Sequence, residues 1–276
     1  ASTMAAPASS GPARALDPTP AAIAQAIQGH RLVLLGEVHD NDGQHALRVV
    51  ALRRWIEGGA RPAIAFEQFD RERQADIDRA RRERPGDIDY LIAQARGSSG
   101  WRWPAYRPFI ALAFEFDLPI VAANLSRNDA MQVAMKGWEA AFDDATRRAL
   151  PLESLPADYR RKQRQSIVAG HCNQLSADEV PPLVRAQMAR DIVLARSLRA
   201  YPDRPIVLLT GNGHARRDIG VPFWLTAEER RTTVSIGLLE HGDGADEEPV
   251  DAFDAYVLTA RAERADPCEA MKRRAR

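Results

Sequence analysis

The stretch Arg31-Leu-Val-Leu-Leu-Gly36-Glu37-Val-His39-Asp40 decides the fold. An unbroken apolar run between an arginine and a glycine reads as a strand buried on both faces, the pattern of a parallel sheet. The pattern recurs at Arg61-Pro-Ala-Ile-Ala-Phe66, Leu118-Pro-Ile-Val-Ala-Ala123, Pro205-Ile-Val-Leu-Leu-Thr210 and Thr232 to Leu239, with Ala255 to Leu258 as a further candidate. Helices are predicted between these runs. Thr19-Pro20 supplies a cap and a first-turn proline for a helix over 20–28. Asp42 is positioned to cap a helix over 43–57 whose apolar face is Leu47, Val50, Ala51 and Trp55, and Asp70 to cap the next one. A further helix over 104–116 puts Phe109, Leu112, Ala113 and Phe116 on one face. Strands alternating with helices predict an α/β fold with a mainly parallel sheet flanked by helices.

Residues 126–149, 157–169 and 178–199 read as helices with no strand among them. That is too long for one crossover and predicts a small inserted helical subdomain. The expected organisation is a flexible leader over 1–20, an α/β domain from 21–125 and 200–276, and a helical subdomain over 126–199.

Composition excludes several classes. Lys and Arg total 38 and Asp and Glu total 38, so the formal charge is zero and a bulk polyanion such as nucleic acid is not an expected partner. Hydrophobic residues are 45% of the chain, too many for a disordered protein. No run approaches the roughly twenty apolar residues that span a bilayer. The leader is small-residue and Pro-rich without an apolar signal core, which fits a tether to a membrane anchor as well as a frayed terminus. Cys172 and Cys268 are too few for a disulfide scaffold; whether they pair stays open.

In an open parallel sheet, ligands bind beyond the carboxyl ends of the strands. Those ends carry Glu37 and His39, Glu67, Asn124, and the run Gly211-Asn-Gly-His214. Glu37 and His39 are two apart and point the same way in extended chain. His39, His214 and Glu67 form a candidate N/O metal set. Glu37, His39, Glu67 and His214 equally suit general acid–base catalysis. A network that only satisfies rim amides is the alternative for any one of them. His171, between two predicted insert helices, is a second candidate ligand. Met188 lies on a helical face with Val184, Ile192 and Ala195, which suits core packing first and haem ligation second. His30 reads as a strand-entry residue, His45 as a helix-surface one, and His241 as solvated in an acidic loop. The arginines of 71–84 and 160–164 read as solvated helix faces with some able to meet an anion, and Gly100 to Tyr106 as an aromatic loop that covers a ligand or plugs a core edge.

Taken together, Leu34-Leu-Gly-Glu-Val-His-Asp40, Ala65-Phe-Glu-Gln-Phe69, Gly170-His-Cys172, Val184-Arg-Ala-Gln-Met-Ala-Arg-Asp191 and Gly211-Asn-Gly-His-Ala-Arg-Arg217 resemble the ChaN-like haem-binding lipoproteins, which share a superfamily with the TraB and Tiki proteins and the erythromycin esterases. The resemblance runs from about residue 30 to the Asp266-Pro-Cys268 segment. It implies haem as cofactor, a role in haem or iron uptake, lipid anchoring in a bacterial envelope, and two protomers enclosing a cofacial haem pair. His171 is the residue it carries over most directly. The family's iron-binding tyrosine has no counterpart on the helix after His171, which holds Met188 and reaches Tyr201 first. The superfamily's enzymes imply the alternative, a metal-dependent hydrolase of esterase or peptidase type using Glu37, His39, Glu67 and His214 with a divalent metal.

Overall fold

A computed structural model describes residues 11–97, 100–242 and 248–269. Residues 1–10 of the expected leader and 243–247 of the acidic loop lie outside the described residues. Seven strands form one all-parallel sheet: β1 (Arg14–Leu16), β2 (Leu32–Leu35), β3 (Ala63–Asp70), β4 (Ile120–Asn124), β5 (Ile206–Leu209), β6 (Thr233–Glu240) and β7 (Ala255–Thr259). Their spatial order is β1-β7-β6-β2-β5-β3-β4. The runs read as strands from sequence all belong to it, which confirms the α/β class. β1 was not expected; it falls inside the stretch read as leader and pairs in register with β7, Arg14 opposite Ala255 and Leu16 opposite Val257.

The strands are continuous apolar runs because both faces are buried. Val33 and Leu35 enter one apolar cluster and Leu32 and Leu34 the other. Val207 and Leu209 alternate likewise with Ile206 and Leu208, and Ile64 and Phe66 with Ala63 and Ala65. Burying each such aliphatic side chain contributes about 1.5–3 kcal/mol.

One face is covered by α1 (Pro20–Ile27), α2 (Asp42–Glu57), α3 (Gln74–Glu83), α4 (Ile88–Ala95) and α5 (Trp103–Glu115). The other is covered by α6 (Arg127–Lys136), α8 (Ala157–Gly170) and α9 (Val180–Ser197); α7 (Asp144–Ala149) buries no residue, α10 (Asn212–Ala215) follows β5 and α11 (Ala227–Arg231) precedes β6. The helices of 126–199 share their apolar cluster with the sheet: Val133, Tyr159, Met188 and Ile192 pack with Leu34, Ala65 and Leu208. Met188 is 4% exposed within that cluster, as its reading as a core residue expects.

Three local expectations need correction. The cap of α2 is Asn41, whose side chain accepts from the Gln44 N–H at 3.0 Å, and not Asp42. Asp70 ends β3 and caps nothing; a 3-10 turn over Arg71–Arg73 follows. The helix expected over 126–149 breaks at Gly137, whose φ of 104° suits only glycine.

The buried face of α2 also differs from the expected one. Val50 is 45% exposed, whereas Gln44, His45 and Arg48 are buried alongside Ala51, Leu52, Trp55 and Ile56. His45 is therefore an interior residue and not a surface one. A helix that buries polar groups needs partners for them, and these lie at the carboxyl end of β2.

Cys172 and Cys268 form a disulfide with their Cα atoms 5.5 Å apart. No helix among the described residues is long and apolar enough to cross a membrane.

Because Ile192 of α9 is 1% exposed against the sheet, Ile192→Ala is expected to cost about 2–5 kcal/mol of stability. Urea denaturation read by circular dichroism measures it; a cost below about 0.5 kcal/mol, the range of ordinary surface changes, would show that α9 is not part of the same core.

Candidate functional site

The sheet order sets the carboxyl ends of β6, β2, β5 and β3 side by side, so Glu240, Glu37, Gly211 and Glu67 share one rim. A cleft of about 430 Å³ opens there, lined by Glu37, His39, Gln187, Gly211, His214 and Arg261 among others. That size falls within the ~300–1,000 Å³ usual for small-molecule sites.

Glu37 is the buried centre of the rim, 2% exposed directly beyond β2. Its Oε1 accepts from Tyr106 OH at 2.7 Å and faces His39 Nδ1 at 2.7 Å. Its Oε2 pairs with the Arg48 guanidinium and lies 3.0 Å from His45 Nδ1. Arg48 also donates to the Leu35 carbonyl at 3.0 Å. Burial alone raises a carboxyl pKa, but Arg48 and the two histidines more than offset it and hold Glu37 well below its ordinary value. Burial and the neighbouring Glu37 carboxylate push the Tyr106 hydroxyl up, so it stays a protonated donor.

His39 is fixed by that carboxylate. With Nδ1–H donated to Glu37, its Nε2 is the free atom, on a side chain 48% exposed. The Trp101 ring meets it edge-on at 4.8 Å between centroids. Partial burial lowers its pKa, but the bond to Glu37 and the charge of Glu67 leave it raised. The stretch read as an aromatic loop is mostly the first turn of α5, and it borders the rim: Trp101 meets His39, Tyr106 bonds Glu37 and Trp103 packs on Phe69 at 4.9 Å.

Across the cleft, Glu67 Oε2 accepts from Thr210 Oγ1 at 2.7 Å and Gly211 N–H at 2.8 Å. A Cβ on Gly211 would lie 3.0 Å from the His39 ring, so a side chain here would require that ring to shift. His214 stands between two carboxylates, Nδ1 2.6 Å from Asp191 Oδ1 and Nε2 3.6 Å from Glu67 Oε1. Burial pulls His214 down, yet Glu67 and Asp191 more than compensate and raise it. Burial pushes the Asp191 carboxyl up to about 6. The rim therefore holds two carboxylate-backed imidazoles on opposite sides of one cleft, an arrangement suited to moving protons.

The structure brings Glu37, His39, Glu67 and His214 to this rim, as their sequence positions imply. The metal set His39, His214 and Glu67 gains no support. Among the described residues no group of three or more His, Cys, Asp or Glu side chains is placed to hold a metal ion. The donor atoms face one another instead: Glu67 is occupied by Thr210 and Gly211, and His214 Nδ1 by Asp191.

Arg48, His45 and Asp191 were not identified from sequence. Arg48 follows His45 by three residues, a spacing that puts both on one helix face. Asp191 sits in the segment Val184 to Asp191, but nothing local marks it as the partner of His214.

His171 lies elsewhere, at the end of α8. Its Nδ1 donates to the Ile167 carbonyl at 2.7 Å, which leaves Nε2 with its lone pair free. On the same stripe of α8, Arg160 and Arg164 are exposed and form no ion pair among the described residues, while Val168 is partly exposed. Other arginines of that stretch are engaged: Arg161 with Asp158 and, in 71–84, Arg79 with Asp76.

A protein-family model described as haem-binding uptake, Tiki superfamily, ChaN matches residues 23–225. The chain belongs to this family. Among solved structures it is similar to the ChaN of Campylobacter jejuni described with cofacial haem binding, at a TM-score of 0.65 and 18% identity over 82% of this chain and 87% of that one. It is also similar to an erythromycin esterase mutant in its open conformation, at a TM-score of 0.45 and 14% identity over 79% of this chain and 72% of that one. A type III effector matches at a TM-score of 0.49 and 12% identity over 93% of this chain and 100% of that one. No curated protein sequence matches the chain. The likeness to the ChaN structure extends to the fold, and the family match takes in β2 to β5 with the helices between them and the whole Glu37, Glu67 and His214 rim.

Removing the cation beside Glu37 leaves a buried charge without a partner. Arg48→Met is therefore expected to destabilise the fold by about 3–5 kcal/mol in urea denaturation; a loss under about 1 kcal/mol would show that the pair carries little. The pKa of Glu37 is lower in the folded than in the unfolded chain. Its stabilisation is thus complete above the ordinary value of 4.5 and is lost as pH falls through the folded value. Glu37→Gln should flatten the acid side of the stability-versus-pH curve, and an acid limb as steep as that of the wild type would assign it to other groups.

Proposed function

We propose that the chain binds haem and serves haem or iron uptake. The observation that carries this is the α8 stripe of Arg160, Arg164, Val168 and His171, read together with membership of a haem-binding uptake family. At about 1.5 Å of rise per residue, Arg164 and His171 stand about 10 Å apart along the helix. An imidazole with a free Nε2, a partly exposed aliphatic residue and two arginines fit a flat macrocycle with an iron at its centre and carboxylates at its edge. His171 would hold the iron, and Arg160 and Arg164 would receive the propionates. The bond from Nδ1 to the Ile167 carbonyl fixes the ring and, in the neutral imidazole, puts the proton on Nδ1 so that Nε2 carries the lone pair.

On the same proposal the protein works in the bacterial envelope under a lipid anchor, and two protomers share a pair of haems. Binding of haem in solution is the first step to test. Adding haemin to the apoprotein should give a saturable Soret shift, and a spectrum identical to that of free haemin would sink the proposal. His171→Ala should change the band and weaken binding; if only His39→Ala does so, the iron sits at the rim instead.

A second activity is favoured by one feature, the half-exposed ring of His39 backed by buried Glu37. This is the geometry of a general base, and it suits a hydrolase of esterase or peptidase type. His39 would take a proton from water, and His214, whose pKa Glu67 and Asp191 raise, would serve as the proton donor to the leaving group. Hydrolysis of p-nitrophenyl esters should then be lost in both His39→Ala and His214→Ala. Activity that survives both changes would place the reaction elsewhere.

A further inference from the structure

The C-terminal segment makes one wall of the rim cleft, contributing Arg261, Arg264 and Pro267. It is pinned near its start. Arg264 grips Asp40 at 2.6 and 2.7 Å and Glu240 at 2.6 and 2.7 Å, and the Ala262 N–H donates to Glu240 at 3.0 Å. Its far end is pinned by the bond from Cys268 to Cys172, 96 residues away in sequence. Cys172 is the neighbour of His171, so one covalent bond joins the cleft wall to the turn that carries the proposed iron ligand.

That turn is held in an unfavourable backbone. Cys172 and Asn173 both adopt left-handed conformations, with φ of 58° and 57°. For Cys172 this is an uncommon choice, and such residues persist where the surroundings over-determine them. Local hydrogen bonds close the turn, Cys172 N–H to the Ala169 carbonyl and Asn173 N–H to the Val168 carbonyl, both at 2.9 Å, and the disulfide adds a covalent tie to the C-terminal segment. Both sulfur-bearing residues are partly exposed, within reach of a reductant.

We infer that the Cys172–Cys268 disulfide is a redox latch, which when oxidised holds both His171 in its ligating position and residues 265–269 over the rim cleft. A dithiol reductant opens it in two steps. A thiolate of the reductant attacks one sulfur and forms a mixed disulfide, releasing the other cysteine as a thiol. The second thiol of the reductant then resolves the mixed disulfide. The reductant leaves as its own disulfide, and its two hydrogens end on Cys172 and Cys268. Once open, the turn at 171–173 loses its covalent tie and the C-terminal segment beyond Arg264, the strap over the cleft, is free to fray. The ligand half of this inference rests on the proposal that His171 holds haem.

The test compares the oxidised protein, the protein reduced, alkylated and freed of reductant, and the Cys172→Ser/Cys268→Ser variant. Hydrogen exchange followed by mass spectrometry should rise at least about tenfold in 168–174 and 265–269 in both open forms, with β2 and β5 unchanged, since local opening exposes only the amides it frees. Haemin should bind the open forms about tenfold more weakly. Exchange equal in all three forms would overturn the latch. So would loss of protection throughout the sheet, because the bond would then be a staple of the whole fold. If the oxidised protein does not bind haemin, the haem proposal falls by itself and the exchange comparison still decides whether the latch holds the strap. Open forms that bind haemin as tightly as the oxidised form overturn the coupling to His171.

Discussion

The carboxylate of Glu37 is the constraint around which the rim is built. It leaves β2 at the middle of the sheet and is 2% exposed, and a charge so buried is tolerable only with partners. Those partners come from three directions: His39 from its own loop, His45 and Arg48 from α2, and Tyr106 from α5. Each must approach within hydrogen-bond distance, so the carboxylate sets the rotation of α2 about its axis and the seat of the first turns of α5. The polar face that α2 turns inward, at the expense of Val50, follows from this requirement.

The same need repeats on the other side of the cleft with a different solution. Glu67 is held by a hydroxyl, a backbone amide and the nearby His214, with no arginine among its hydrogen-bond partners. His214 in turn is shared with Asp191 on α9. One carboxylate is thus neutralised by a permanent cation and serves to orient His39, while the other sits in a group whose charge changes with one proton. The two halves of the rim have separate parts to play, although the residue types at their strand ends are alike.

A site at the sheet rim and a stripe on α8 are distinct places, and the disulfide is the covalent link between them. The rim follows from topology, since the parallel sheet gathers its strand ends at one edge. The stripe follows from helix period, which aligns Arg160, Arg164, Val168 and His171. The chain belongs to a haem-binding uptake family; the stripe is where we propose that haem sits, and the rim is the separate place whose geometry suits acid–base chemistry.

Much of this was legible from the chain alone. Apolar runs bounded by Gly and Pro gave the strands, because a strand buried on both faces has no polar positions to spare. The residues after those runs gave Glu37, His39, Glu67 and His214, because parallel strands place their carboxyl ends together. Arg48, His45 and Asp191 were not legible. Their helices show no local mark of the carboxylate or imidazole that each one meets, and an arginine on a helix is by default a solvated one. β1 was hidden for a similar reason: three residues in a Pro-rich segment become a strand only because β7 offers an unpaired edge. The pairing of Cys172 with Cys268 needed the path of the last segment back across the rim. What the sequence determined is what repeats locally, strand by strand; what the tertiary structure decided is which distant group lies close enough to satisfy a buried charge.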